Sequence, residues 1–218
     1  VDWQAWHDEY QVPTSPLARR LEAVQERIRL ALDGCPPGPL RAVSLCAGQG
    51  RDLLEVLAAH PRGAELVARL VEWDPRNSAV AEEACSAAGL EQVEVVTGDA
   101  ALTDYYGDLV PANIVLMCGL FGNITDEDIE RTIAMCPQLC AAGGTVIWTR
   151  HRSEPDRVPL ICDWFNKSGF ELLWLSEPDA GYGVGVHRFA GEPRPLTPGV
   201  RMFSFIGYDV LKQVADGS

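Results

Sequence analysis

Leu17, Leu21, Val24, Ile28 and Leu32 recur three or four positions apart, which places them on one buried stripe of a helix. Ser15-Pro16 offers an N-cap followed by a proline suited to the first turn, and Gly34 with the prolines after it ends that helix. Short apolar runs then alternate with helix-compatible stretches. Residues 42–46, 67–72 and 93–97 read as buried strands, with helices over 51–59 and 77–88 between them. Strands at 114–117, 145–148 and 171–175 continue the series, separated by helices over 126–140 and 157–166, the first with Ile129, Ile133 and Cys136 facing inward. This alternation predicts one α/β domain with a mostly parallel seven-stranded sheet and helices on both faces. Residues 182–189 and 202–208 are both strand-like, and at least one of them should run antiparallel; which is the seventh strand stays open.

Composition narrows the class. With 218 residues, of which 47% are apolar, the chain is long enough for one well-filled core. Asp and Glu number 31 against 18 Lys and Arg, a net charge of -13 that opposes long-range attraction to nucleic acid or anionic lipid. No apolar run reaches 18 residues, and the opening Val1-Asp2-Trp3-Gln4 has no basic flank and apolar core, so a cytoplasmic location and no membrane partner are expected. The seven cysteines include no C-x-x-C pair, and no histidine-carboxylate spacing demands a metal.

The most informative segment is Ser44-Leu45-Cys46-Ala47-Gly48-Gln49-Gly50, at the end of the first strand. One glycine there can make the tight turn into a helix and another can let a ligand approach the backbone. A G-x-G is weak by itself, but the second strand ends in Glu72-Trp73-Asp74-Pro75, about 20 residues on, and the third in Gly98-Asp99-Ala100. Three successive strand ends therefore bring a glycine turn and acidic oxygens to one sheet edge, where ribose hydroxyls can donate to them. A dinucleotide enzyme of the hydride-transfer kind would want a third glycine at position 53, and Leu53 stands there, so a nucleotide without a pyrophosphate fits better.

On these residues the chain resembles the class I methyltransferases that use S-adenosylmethionine (SAM), over roughly residues 41–175. The resemblance implies a Rossmann-like fold, SAM as cofactor, and a division into an N-terminal lid segment and helix over residues 1–40 and a SAM-binding domain with an irregular C-terminal extension over 41–218. The family's first motif is similar to Leu45 through Gly50, although Ser44 stands where an acid is often found. Backbone around Ala47, Gly48 and Gly50 would border the methionyl portion; Arg20, on the helix before the first strand, is a candidate partner for the cofactor carboxylate or for an acidic acceptor. The ribose acid most nearly matches Asp74, with Glu72 the alternative; Asp99 and Ala100 match the adenine side, where Leu102 is a further candidate. Cys118 through Asn123 follows the fourth strand, near the sulfur and the incoming acceptor, which makes Cys118 a cofactor neighbour and Asn123 a candidate at the reacting groups.

Transfer of a methyl group from a sulfonium needs in-line alignment and exclusion of water, with a general base added for some acceptors. His7, as a base, and Tyr10, as a positioning group, are the candidates on the aromatic N-terminal segment, and His151 lies just beyond the fifth strand. Tyr105, Tyr106, Trp148 and Tyr182 are candidates for an apolar pocket wall or for plain core. The expected acceptor is a small molecule, with no nucleic acid; a SAM-binding structural or regulatory protein and a protein methyltransferase are the alternatives. The sequence leaves the oligomeric state open.

Overall fold

The computed structural model describes residues 15–216. Seven strands, β1 (Leu40–Leu45), β2 (Leu66–Glu72), β3 (Val93–Thr97), β4 (Ala112–Met117), β5 (Cys140–His151), β6 (Phe170–Leu175) and β7 (Tyr182–Phe189), form one sheet in the order β3-β2-β1-β4-β5-β7-β6. The first five pair in parallel, and β7 sits between β5 and β6, antiparallel to both. The sheet is therefore mixed, with residues 182–189 as its reversed strand.

The helices are α1 (Pro16–Gly34), α2 (Arg51–Ala59), α3 (Pro75–Ala88), α4 (Asp126–Leu139), α5 (Val158–Lys167) and α6 (Tyr208–Asp216). Side chains alternate across each strand, so the sheet feeds two cores. Val43, Leu45, Val115 and Met117 pack with Ile129 and Ile133 of α4 and Phe165 of α5. Ala42, Ile114, Leu116 and Ile147 face Val24, Ile28 and Leu32 of α1 and Leu53 and Leu57 of α2. Leu17, Val24, Ile28 and Leu32 of the predicted stripe are thus buried while Leu21 is only partly covered, and the helix start is capped as expected: Ser15 Oγ accepts the Ala18 N–H at 3.0 Å.

Residues 202–208 depart from the expectation of a strand. A single antiparallel bridge joins Arg201 to Leu102, after which residues 202–207 form neither strand nor helix until α6 begins. Its amides are satisfied by loops and a helix instead: Met202 N–H donates to Ala101 O at 2.8 Å and Ser204 N–H to Asp128 Oδ2 at 2.6 Å. Among the described residues no helix is long and apolar enough to cross a membrane.

The order of the strands positions the site. β1 lies between β2 and β4, so successive connections leave it in opposite directions, and a crevice opens at the carboxyl ends of these strands.

Candidate active site

A cleft of about 1290 Å³ occupies that crevice. The cofactor candidates Arg20, Ala47, Gly48, Gly50, Glu72 and Asp74 all line it, as do Asp99, Ala100, Cys118 and Asn123. His7 and Tyr10 lie outside the described residues. Leu102, Tyr105, Tyr106, Trp148 and Tyr182 do not line the cleft. Trp148 is fully buried between the sheet and α5, where its indole stacks on Phe165 and donates to His187 Nδ1 at 3.1 Å. Tyr105 packs across Gly98 and the buried Tyr106 hydroxyl donates to Ala100 O at 2.8 Å, so both brace the loop after β3 from behind.

The glycine turn is built by backbone geometry. Cys46, Gly48 and Gly50 take positive φ values of 53, 57 and 68°, and Gly50 N–H donates to Ala47 O at 2.9 Å to close the turn. A β-carbon on Gly50 would lie 2.5 Å from Leu70 Cδ2, so the glycine is required both by its φ and by the close approach of β2. Cys46 is the one non-glycine at positive φ among the described residues; burial and the Glu72 and Asp99 carboxylates push its thiol pKa up, so it stays neutral.

The acids at the end of β2 and just after it play different parts. Glu72 is 9% exposed, and its carboxylate is fixed from both ends: Oε2 accepts the Gly48 N–H at 2.8 Å and Oε1 the Asp74 N–H at 2.9 Å. Asp74 is the N-cap of α3, accepting the Arg76 N–H at 2.9 Å and pairing with the Arg76 guanidinium at 2.6 Å, which holds its pKa below the usual carboxylate value. Between them Trp73, 72% exposed, stands on the cleft rim. Asp99 accepts the Ala101 N–H at 3.1 Å and pairs with Arg201 at 2.7 Å.

At the other end of the turn Asp52 lines the cleft beside Arg20 and hydrogen-bonds the Cys118 thiol; burial raises its pKa against the lowering effect of those contacts. The loop after β4 is pinned by Gly119 N–H donating to Thr149 Oγ1 at 2.7 Å. Asn123 is engaged at both ends of its amide: Nδ2 donates to Gly119 O at 2.6 Å, and Oδ1 accepts the Tyr208 N–H at 2.9 Å. Its side chain therefore ties the loop to the start of α6.

The cleft's aromatic wall comes from residues not anticipated as such, Trp73, Phe203, Phe205 and Tyr208. For the last three the signal in the sequence is the run of aromatics in residues 203–208, which its strand-like pattern conceals, whereas Trp73 stands between the two acids already singled out. Asp52 was equally overlooked, although it stands two positions after Gly50 in the first turn of α2.

A mixed seven-stranded sheet of this order, with its cleft at the β1/β4 switch, is the class I methyltransferase fold. Solved structures agree: an O-methyltransferase family protein from Burkholderia thailandensis superposes with a TM-score of 0.64 at 14% identity over 80% of this chain and 56% of that one. Precorrin-6y C5,15-methyltransferase from Geobacter metallireducens follows at 0.57 and 11%, over 77% and 87% of the two chains, and the fibrillarin pre-rRNA processing protein of Methanococcus jannaschii at 0.55 and 13%, over 71% and 68%. The chain thus spans little more than half the length of the Burkholderia protein. A model of the family described as "Putative methyltransferase" matches residues 18–163, well over half of the sequence, and the chain belongs to that family. A sequence comparison with curated proteins returned no significant match.

Proposed function

We propose that this protein transfers a methyl group from SAM to a small organic acceptor by in-line displacement. One observation carries the reading: a glycine turn, a doubly anchored carboxylate at the end of β2 and an acid after β3 converge on one cleft at the switch point of a methyltransferase fold. The residues fit a nucleoside with an amino-acid tail. Glu72 retains lone pairs after accepting two backbone N–H groups, and those bonds orient it to accept ribose hydroxyls. Trp73 supplies a flat apolar face suited to a purine, beside Asp99 and Ala100. Asp74 borders the same rim as a cap rather than as the main acceptor. At the far end Arg20 and Asp52 offer opposite charges for the carboxylate and ammonium of the methionyl tail, with Ala47, Gly48, Gly50 and Cys118 giving close backbone approach.

When bound, SAM supplies an electrophilic methyl group on a sulfonium. The chain's own work is to hold the acceptor in line and to exclude water. Residues 1–14 precede α1, whose Arg20, Leu21 and Val24 border the cleft, and we assign that segment as a cover carrying His7 as base and Tyr10 as positioning group.

Titration calorimetry tests the reading. SAM should bind at about one equivalent, and Glu72→Ala should weaken it by about 1.5–3 kcal/mol, the range for hydrogen bonds to a charged group. Unchanged affinity in a folded Glu72→Ala protein removes Glu72 from the site, and no SAM uptake by the wild type overturns the donor assignment. SAM binding without S-adenosylhomocysteine release across acceptor classes favours a structural or regulatory SAM-binding protein.

A further inference from the structure

The carboxyl end of β5 brings two nitrogen-rich side chains into the cleft. Arg150 and His151 both line it, and both close on Gly122, where a β-carbon would lie 3.5 Å from Arg150 Nη1 and 3.4 Å from His151 Cδ2. Arg150 donates from Nη1 to Phe121 O at 2.6 Å, but its Nε is buried without an acceptor among the described residues. The carboxylates whose charge it feels are committed elsewhere: Asp126 pairs with Arg157 at 2.9 Å and Asp156 with Arg152 at 2.8 Å. A half-buried guanidinium with no counter-ion of its own among the described residues is costly, and its planar fork matches a carboxylate.

His151 adds a second donor. Its Nδ1 accepts the Ser153 N–H at 3.3 Å, which puts the proton of the neutral ring on Nε2, and that nitrogen is buried with no partner among the described residues. Burial and the Arg150 charge lower the His151 pKa to about 4, so the ring is neutral at pH 7. Phe203, Phe205 and Tyr208 line the same cleft, and the Tyr208 ring meets the imidazole edge-on with centroids 4.9 Å apart. The corner thus offers one fixed positive charge, one neutral N–H donor and an apolar wall.

Building on the methyltransferase reading, we propose that the methyl acceptor is an organic acid with an apolar body. Its carboxylate is received by Arg150 and His151, and its body lies against Phe203, Phe205 and Tyr208. A monoanion suits the one guanidinium that the described residues place at this corner, in a chain of net charge -13, better than a phosphate dianion does.

The test titrates cinnamate, phenylacetate and 4-hydroxybenzoate, each beside its uncharged amide, into protein saturated with S-adenosylhomocysteine. At least one acid should bind about tenfold or more tightly than its amide, the loss expected for one charge-assisted hydrogen bond. Arg150→Met should abolish that preference while its S-adenosylhomocysteine affinity stays within about twofold of wild type, and Arg150→Lys should keep part of the preference. Equal binding of acids and amides overturns the proposal, as does an Arg150→Met protein that keeps the preference. A parallel fall in S-adenosylhomocysteine affinity in Arg150→Met assigns the guanidinium to the donor half and also overturns it. If wild-type protein does not bind S-adenosylhomocysteine, the methyltransferase reading fails by itself, and the same acid and amide titrations on the unliganded protein still decide the anion site.

Discussion

Gly50 carries two constraints at once, a φ of 68° and a β-carbon position 2.5 Å from Leu70 Cδ2. Gly50→Ala should therefore destabilise the fold by about 2–3 kcal/mol, from left-handed strain plus overpacking, and should weaken SAM binding through the displaced turn. Urea denaturation and calorimetry measure the two effects, and an unchanged unfolding midpoint would exclude the clash. At this scale the sequence exposed the turn and the acids but not their division of labour. Glu72 and Asp74 are both carboxylates near the end of one strand, and only backbone direction separates them. Glu72 is the last residue of β2 and reaches across to the Gly48 amide, whereas Asp74 caps α3 and holds Arg76. The candidacy of Asn123 was legible from its loop, but its two backbone partners were not, because one of them lies 85 positions away at Tyr208.

The segment from Met202 into α6 is where a single element shapes the site. Ile206 and Gly207 N–H groups donate to Asn123 O at 2.9 and 3.0 Å, and Tyr208 N–H to its side chain. Asn123→Ala removes the side-chain acceptor and the bond to Gly119, so the segment bearing Phe205 and Tyr208 should loosen over the acceptor end. The expected outcome is an acceptor KM raised about tenfold, as for loss of about 1.4 kcal/mol, with SAM affinity changed by less than twofold. Equal losses for donor and acceptor would place Asn123 with the cofactor instead. The strand-like pattern of residues 202–208 misleads for a physical reason. Alternating apolar residues favour an extended backbone, but membership of a sheet needs a neighbour with free N–H and C=O groups. Here Ala101, Asp128 and Asn123 provide the acceptors.

Across the whole molecule the buried His187 sets a pH dependence of stability. It is 1% exposed, stacks on Phe165 with centroids 4.4 Å apart, and burial lowers its pKa to about 4 from an ordinary 6.5. Between those values the unfolded chain binds the proton and the folded one does not, so stability falls as pH drops through 6.5 toward 4. Urea melts at pH 7.5 and 4.5 should differ by about 2–3 kcal/mol from this group, with the half-buried His151 adding to the fall. Asp74 and Asp108, whose pKa values are lowered by Arg76 and Arg69, contribute their loss only below about pH 4. His187→Phe should be less stable at pH 7.5, because the Trp148 N–H loses its acceptor, yet should flatten the dependence; an unaltered slope would reject His187 as its source. The sequence by itself determined the alternation of strands and helices, the glycine turn after β1 and the acids at two strand ends, since hydrophobic period and turn chemistry are local properties. Only the tertiary structure decided that β7 reverses between β5 and β6, and that Arg150, His151, Phe203 and Tyr208 meet in one cleft. Those outcomes depend on which distant groups satisfy one another's hydrogen bonds and cover one another's apolar surface, and spacing along the chain carries no record of that choice.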